Sequence, residues 1–381
     1  MHSQLTPARA ARARGAFADS VRHYLAVIEE APPPEILAEA AEVIGRFRPR
    51  GAEALARRAL EARPHLPEAS HALAEALARQ GRHPEATPLF RDAVARSGRL
   101  AELKDAGTPD EAPPWTHRYA DVDCPACGAA GSTPVHVGNA SRVQRCFGVV
   151  DPVKLWVRCD GCGLTRVANP PPDDRLPAWY EAAYDRSPDT HNPPAPGPGL
   201  YGELLKHESQ VLELLERAPA SRGGRLLEIG CSFGLFLAVA RYHGFDCVGL
   251  ELARAAADWG RSTFGLDVRH GSCPADLPEG PFDVIVGFEV IEHFSRPDAI
   301  LALLAERLRP GGVLVLSTPC LDHPYHLAAG YDDPMWSVPG HLVYFDRATL
   351  RASLARAGLR EVHRAFSDRH LGSVVVLSSH A

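Results

Sequence analysis

The stretch Leu226-Leu227-Glu228-Ile229-Gly230-Cys231-Ser232-Phe233-Gly234-Leu235-Phe236-Leu237 constrains the fold more than any other part of the chain. An apolar run ends in Glu-Ile-Gly, a second glycine follows, and a new apolar series begins with helical spacing, so the segment reads as strand, tight glycine turn and helix. Such a turn aims backbone amides at the helix N-terminus and opens a βαβ unit for a nucleotide-type ligand. The alternation continues with a short strand Asp246–Leu250 that ends in Glu251, a buried strand Phe282–Phe288, a helix Ala299–Leu308, and a turn Arg309–Gly312 leading into a strand Val313–Leu316. An acid at the carboxyl end of the second strand is placed to grip a ribose diol with two hydrogen bonds. An amphipathic helix, Tyr201–Ala218, leads in, and Leu359–Phe366 with Ser373–Ser378 reads as two strands joined by a short turn.

A length of 381 residues suggests two or three domains. With 45% hydrophobic and 23% charged residues the composition is that of a soluble globular protein. The formal charge of −6 and pI near 6.3 argue against a whole-surface footprint for nucleic acid and favour a small or neutral substrate. No apolar run approaches the roughly 18 residues of a membrane span, so a cytoplasmic protein without membrane partners is expected. Arg9, Arg12 and Arg14 read as a frayed basic tail. Four of the nine cysteines form two C-x-x-C pairs, while Cys146, Cys231, Cys247, Cys273 and Cys320 are scattered. That pattern favours a metal and buried thiols over disulfides.

Val21 to Ala106 is rich in Ala, Leu, Arg and Glu with helical periodicity. At a spacing of 34 residues, Ala52, Ala56, Ala59 and Pro64 fall over Ala86, Phe90, Ala93 and Gly98. The second copy adds Leu73, Ala74, Leu77 and Gly81, and Glu39 sits at an expected apolar position of the first. The region resembles two tetratricopeptide-type repeats behind an N-terminal helix, with an Ala-rich bundle of chance spacing as the alternative. Either arrangement implies binding of a protein partner, self-association or bracing of the rest. A joint at Gly107–Pro114 precedes Cys124-Pro-Ala-Cys127-Gly, and Cys159-Asp-Gly-Cys162-Gly follows later. Two such knuckles supply four thiolates for a tetrahedral zinc site, and four Cys ligands leave no open position, which makes the expected role structural. A redox C-x-x-C is the competing reading, but one pair would suffice for it. His136 and Cys146, between the knuckles, read as filler. Asn169–Asp174 breaks regular structure, Trp179–Tyr184 has helical spacing, and Asn192–Pro198 is a second joint. The expected domains are 1–110 helical repeats, 115–170 zinc ribbon, 171–200 linker and lid, and 201–381 the α/β domain.

Taken together, Glu-Ile-Gly-Cys-Ser-Phe-Gly, Gly-Leu-Glu251, Phe-Asp-Val-Ile-Val, Glu-Val-Ile-Glu-His and Leu-Arg-Pro-Gly-Gly-Val-Leu resemble the class I S-adenosylmethionine-dependent methyltransferases. The resemblance runs from about Tyr201 to the C-terminus. It implies a seven-stranded doubly wound, Rossmann-like sheet with a terminal antiparallel hairpin, and S-adenosylmethionine as cofactor. By position it assigns Glu228, Gly230, Cys231, Ser232 and Gly234 to the methionine and ribose side, Glu251 to the ribose hydroxyls and Leu252 to the adenine face, with Phe288 and Glu289 at the end of the next motif. The family often has glycine where Ser232 stands. It often has an acid after His270-Gly271, where this chain has Ser272-Cys273-Pro274, so adenine recognition falls to the backbone around Cys273 or to Asp276.

A sulfonium methyl is already activated, so catalysis consists of aligning a nucleophile and removing its proton where one is present. Glu289, Glu292 and His293, spaced for one face of a helical turn, follow the strand that ends at Phe288. Two readings stand: Glu289 caps the cofactor site while Glu292 and His293 hold the loop, or Glu-x-x-Glu-His is similar to the divalent-metal triad of some quinone-biosynthesis and small-RNA O-methyltransferases, with His341 as a further ligand. Thr318–Phe345 reads as a substrate cover. Within it Gly-His341-Leu-x-Tyr-Phe makes His341 the leading candidate for base or substrate ligand, with His293 and Glu292 beside it. A zinc ribbon ahead of such a domain is similar to bacterial methyltransferases of sugars and secondary metabolites, so a small-molecule acceptor is expected, with O-, N- and C-methylation open. The alternatives are RNA methylation through the ribbon and a non-catalytic scaffold.

Overall fold

The computed structural model describes residues 4–96, 123–139, 153–168, 170, 177, 180, 193–367 and 369–381. The joint at Gly107–Pro114, Cys146, Trp179, Tyr184, Asn192 and all of the Asn169–Asp174 break except Pro170 lie outside these residues. The chain divides into two compact units. One contains the N-terminal helices, Thr133–Val157 and Pro334–Pro339; the other contains Ala120–Ser132, Arg158–Asp333 and Gly340–Ala381, so the 115–170 stretch contributes to both.

In the first unit the helices are α1 (Leu5–Ala13), α2 (Phe17–Glu29), α3 (Pro34–Gly45), α4 (Pro49–Ala62), α5 (Pro67–Ala78) and α6 (His83–Arg96). Helices α3, α4 and α5 each open on a proline, at the one position where a missing N–H costs the helix no bond. Each helix packs on the next, and α3 also meets α5. Of the positions aligned at 34 residues, Ala52, Ala56 and Ala59 with Ala86, Phe90 and Ala93 are buried, whereas Pro64 is exposed and Gly98 lies outside the described residues. Glu39 is not stranded on an apolar face: it accepts from Arg9 Nη2 at 2.7 Å and from the Tyr24 hydroxyl. Most of β1 (Ser132–Asn139) and β2 (Val153–Cys159) belongs to this unit. Its core there is Trp156, whose Nε1–H donates to the Trp336 carbonyl at 3.0 Å, and buried Lys154, whose Nζ donates to the Val338 carbonyl at 2.9 Å. His136 stacks on Trp336 at 4.5 Å, and burial pushes its pKa down to about 3, so it serves packing.

The second unit carries β3 (Thr165–Val167), α7 (Pro198–Arg217), β4 (Arg225–Ile229), α8 (Leu235–Tyr242), β5 (Asp246–Glu251), α9 (Arg254–Phe264), β6 (Asp267–His270), β7 (Phe282–Phe288), α10 (Pro297–Arg307), β8 (Leu308–Pro319), α11 (Pro324–Ala329), β9 (Val343–Tyr344), α12 (Arg347–Arg356), β10 (Leu359–Phe366) and β11 (Ser373–His380). Seven strands form one sheet in the order β10-β11-β8-β7-β4-β5-β6. The strands from β4 to β8 pair in parallel, and β11 runs antiparallel to both β8 and β10.

Alternation along the strands builds a core on each face. Leu226, Val284, Val286, Val313 and Val315 meet Val211, Leu214 and Leu215 of α7 and Phe236 and Leu237 of α8. Leu227, Ile229, Ile285, Leu314 and Leu316 meet Ile300, Leu301 and Leu304 of α10 and Leu350 and Leu354 of α12. The sheet is therefore the expected doubly wound α/β arrangement. Two details correct the sequence reading. Between the strands expected at Asp246–Leu250 and Phe282–Phe288 lies a further one, β6, at the sheet edge with only Val268 buried. The turn expected at Arg309–Gly312 is drawn into one long strand with a register irregularity opposite Phe282 and Val284. Among the described residues no helix is long and apolar enough to cross a membrane.

Candidate active site

The parallel strands all end at one edge, and the residues of the expected site collect there. After β4 the chain turns through Gly230 at φ +65°, where an added Cβ would stand 2.9 Å from Val290 Cγ2. Only glycine adopts this conformation cheaply and leaves the backbone approachable. Gly230→Ala should cost about 1–2 kcal/mol, read as a lower melting temperature, together with weaker binding of S-adenosylhomocysteine; an unchanged melt and affinity would show the turn tolerates a side chain. Ser232 has φ +47°, which explains why a glycine suits its place. Its N–H donates to Glu251 Oε2 at 2.7 Å, and the N–H of Ala253 donates to Oε1 at 2.7 Å. Glu251 is thus fixed at the carboxyl end of β5 by two main-chain donors.

Glu228 is 5% exposed; burial pushes its carboxyl well above the usual range, with Arg369 opposing, and its Oε2 has no hydrogen-bond partner. Cys231 turns its thiol into the core, where a Cβ on Gly249 would stand 2.6 Å from the sulfur, so only its backbone faces the turn. Leu252 is half-buried beyond Glu251. Asp276 Oδ2 accepts from the Ser272 N–H at 2.9 Å, which brings that acid back beside Cys273. The glycine cradle, the orphaned Glu228 oxygen and the oriented Glu251 fit a nucleoside bearing a charged tail.

Across the edge, Phe288 meets Phe236 edge to face at 5.1 Å and leads into Glu289 at φ +51°. That conformation turns Glu289 away from the other two acidic-turn residues. Its N–H donates to the Ser317 carbonyl at 3.0 Å and its Oε2 accepts from Ser373 Oγ at 2.8 Å, so the expected single face of Glu289, Glu292 and His293 is replaced by a split. Glu292 and His293 lie on a single 3₁₀ turn, Ile291–His293. Glu292 is fully buried, its Oε2 accepts from Thr318 Oγ1 at 3.0 Å, and its Oε1 has no hydrogen-bond partner. Burial, with Glu289 adding, pushes this carboxyl far up.

His293 Nε2 stands 3.9 Å and His341 Nε2 4.0 Å from that Oε1. The His293 Nδ1 lies 2.9 Å from the Gly340 carbonyl, which can only accept, so in the neutral ring Nδ1 carries the proton and Nε2 a lone pair. His341 Nδ1 meets the Tyr344 hydroxyl at 2.9 Å, and the Tyr180 hydroxyl reaches His293 Nδ1 at 2.5 Å. The sequence paired Glu292 with His293 and offered His341 as a further member, and the fold brings all three together. It also adds residues that no motif marks: Thr318, Ser373, Arg369, and a buried His326–Asp333 pair at 2.5 Å in the cover segment.

The four knuckle cysteines also converge. Cys124 and Cys162 sulfurs are 3.7 Å apart and those of Cys127 and Cys159 3.6 Å, with all four within 4.8 Å of one another. Tetrahedral zinc with Zn–S near 2.3 Å requires edges of about 3.8 Å, so the donor set fits that ion. Each knuckle closes alike, Gly128 N–H on the Cys124 carbonyl at 2.8 Å and Gly163 N–H on the Cys159 carbonyl at 2.9 Å.

A family model described as a methyltransferase domain matches residues 204–364. A probable S-adenosylmethionine-dependent methyltransferase of Mycolicibacterium smegmatis is 31% identical over 223 residues, 54% of this chain and 79% of that one. A ubiquinone biosynthesis O-methyltransferase of Roseobacter denitrificans is 36% identical over 105 residues, and the chain spans only 42% of its length. A solved magnesium protoporphyrin IX methyltransferase from Synechocystis, with bound SAH, has a TM-score of 0.44 at 14% identity, covering 55% of this chain and 100% of that one. On the strength of the M. smegmatis relative, and in keeping with the sheet and its glycine turn, the chain belongs to the class I S-adenosylmethionine-dependent methyltransferases.

Proposed function

We propose that this enzyme moves the S-adenosylmethionine methyl group to a small-molecule acceptor of the sugar or secondary-metabolite class, with a hydroxyl as the attacked group. The observation that carries the reading is the cluster of buried Glu292 with partly exposed His293 and His341 at the strand edge, next to the cofactor turn. The cofactor supplies an activated methyl on a sulfonium. The chain's own part is to hold and orient: Glu251 takes the ribose diol, the Gly230–Gly234 turn presents its amides, and Asp276 with the backbone at Cys273 reads the adenine edge. His293 Nε2, with its lone pair fixed by the Gly340 carbonyl, accepts the acceptor's proton, and His341 orients the acceptor. Glu292 steadies the charged imidazole. The relatives named for O-methylation support the choice of a hydroxyl.

A second reading is favoured by one observation: three ligand atoms, Glu292 Oε1, His293 Nε2 and His341 Nε2, lie within 4.8 Å of one another. There they could hold a divalent cation that takes the acceptor oxygen. The test is incubation of the enzyme and S-adenosylmethionine with small-molecule extract, seeking cofactor-dependent mass gains of one methylene. No gain across extracts would overturn the small-molecule reading. Where a gain is found, brief chelation with the ribbon zinc still bound separates the two versions: turnover persists with a histidine base alone and is lost with a required cation.

Outside the sheet, the four cysteines are read as a structural zinc ribbon, bordered as the 115–170 segment, and the helices of residues 1–110 as tetratricopeptide-like repeats that bind a protein partner or a second copy. Residues 171–200 serve as the link and lid to the catalytic part, 201–381.

A further inference from the structure

The second cysteine knuckle and the Glu292–His341 cluster lie on one hydrogen-bonded path, all of it within the second unit. Only Gly163 and Leu164 separate Cys162 from β3. The Cys159 N–H donates to the Leu164 carbonyl at 2.9 Å, which ties the knuckle to the root of that strand. Strand β3 then pairs antiparallel with β9, Thr165 opposite Tyr344 and Arg166 opposite Val343. One residue beyond, the Val167 N–H donates to the Leu342 carbonyl at 2.9 Å, and the Leu342 N–H donates to the Glu292 carbonyl at 2.8 Å. Wholly buried Tyr344 meets His341 Nδ1 through its hydroxyl at 2.9 Å.

Strand β9 is two residues long, and so short a strand holds no position by itself. Its far end is fixed by the large sheet, through a bridge from Phe345 to Cys320 at the end of β8. Its near end, where His341 stands, is held by β3 on one side and by the Glu292 turn on the other. With only three residues, β3 depends on its own anchors. One is Leu164, 1% exposed in the core that also contains Val343 and Phe345. The other is the knuckle, which becomes rigid when its thiolates are pinned to one ion.

We infer that the Cys159–Cys162 knuckle, closed by its metal, is a positioning element for the acceptor site: it sets β3, β3 sets β9, and β9 sets His341 and Tyr344 against Glu292. This rests on the zinc reading of the four cysteines and on the acceptor-site reading of His341. It gives the metal a task beyond the stability of the ribbon, because a group that orients an acceptor loses rate steeply when it is displaced by an ångström.

The test uses the full chain. Zinc is stripped by chelation and then returned, bound metal is counted by elemental analysis, and amide exchange is followed by mass spectrometry in fragments covering 340–345 and, for reference, 225–251. Removal should quicken exchange at 340–345 by about tenfold or more, leave the reference fragments and the affinity for S-adenosylhomocysteine at their zinc-loaded values, and be reversed by zinc. Unchanged exchange at 340–345, or an equal rise in the reference, overturns the positioning role. A wild-type chain that binds no zinc overturns the zinc reading, and this inference with it.

A second arm leaves the metal in place. Val167→Pro removes the N–H that reaches Leu342, whereas Val167→Ala keeps it and only trims the side chain. On the acceptor found by the mass-gain search, kcat should fall about 10- to 100-fold in Val167→Pro and stay within about threefold of wild type in Val167→Ala, both with one zinc bound and normal affinity for S-adenosylhomocysteine. Equal kcat in the two overturns the positioning role. His341→Ala, run beside them, tells the failures apart: if it also keeps kcat, the acceptor-site reading of the cluster has failed, and if it loses kcat while the Val167 pair match, only the positioning role has. Should Val167→Pro not fold, the exchange arm decides.

Discussion

Glu292→Gln and His293→Ala should each lower kcat by about a hundred- to ten-thousand-fold on the acceptor found by the mass-gain search, while the dissociation constant for S-adenosylhomocysteine stays at its wild-type value. The expectation follows from the burial of Glu292 and from its position facing two imidazole nitrogens. Gln fills the same volume and keeps an acceptor for Thr318 Oγ1 at 3.0 Å, so the local packing survives. What Gln loses is the ionisable group that takes up the charge when the neighbouring ring is protonated and, in the cation reading, a ligand oxygen. A merely structural role for the turn predicts the opposite pattern: a lower melting temperature, weakened cofactor binding and near-normal kcat in whatever fraction remains folded. Single-turnover kinetics beside calorimetry separate the two, and normal turnover in Glu292→Gln removes this cluster from the chemistry.

The second large effect concerns the four cysteines. Cys159→Ser, or removal of the bound metal with a strong chelator, should destabilise the protein by about 4 kcal/mol or more, since loss of a structural metal belongs to the most damaging single changes. For a unit of this size that is a fall in melting temperature of roughly 8–16 °C. The measurement pairs thermal melts with metal analysis, which should give one zinc per wild-type chain and none in the variant. The Cys162 and Ala126 side chains pack against the same core cluster that holds Leu350 and Leu354 of α12, so the damage should spread beyond the knuckles. A metal-free protein with an unshifted melt would mean that the knuckles are held by packing alone.

Much of the α/β part was legible because its signals are local. The apolar runs of β4, β5, β7 and β8 are short and bounded by glycine, and Leu226/Leu227 or Val284/Ile285 need no partner to declare that both faces are covered. Strand β6 was not legible: in Asp267-Val-Arg-His only Val268 is buried, and an edge strand needs little else. The cysteine knuckles announced themselves by spacing, since ligands three residues apart share one turn.

At the strand edge the same contrast holds. Glu292 and His293 are neighbours in sequence, so their association was visible. Glu289 was misplaced because helical spacing assumes a regular turn, whereas φ +51° at that residue swings it toward Ser373. The positions of His341, Arg369 and the His326–Asp333 pair depend on how the cover segment and the terminal hairpin fold back, and no local pattern encodes that.

The two amide bonds onto Glu251 carry one more consequence. Both donors belong to the main chain, and both are in place before any ligand arrives, so the acid meets the ribose without having to find its orientation. A side chain at 251 must therefore present acceptors at both of its ends. Glutamine, equal in size, would turn an NH₂ group against one of those N–H groups, donor facing donor, and the fold offers no second conformation that avoids the conflict without leaving Ser232 or Ala253 unbonded. At this position the demand for a true carboxylate is written by the protein's own backbone as much as by the molecule it binds.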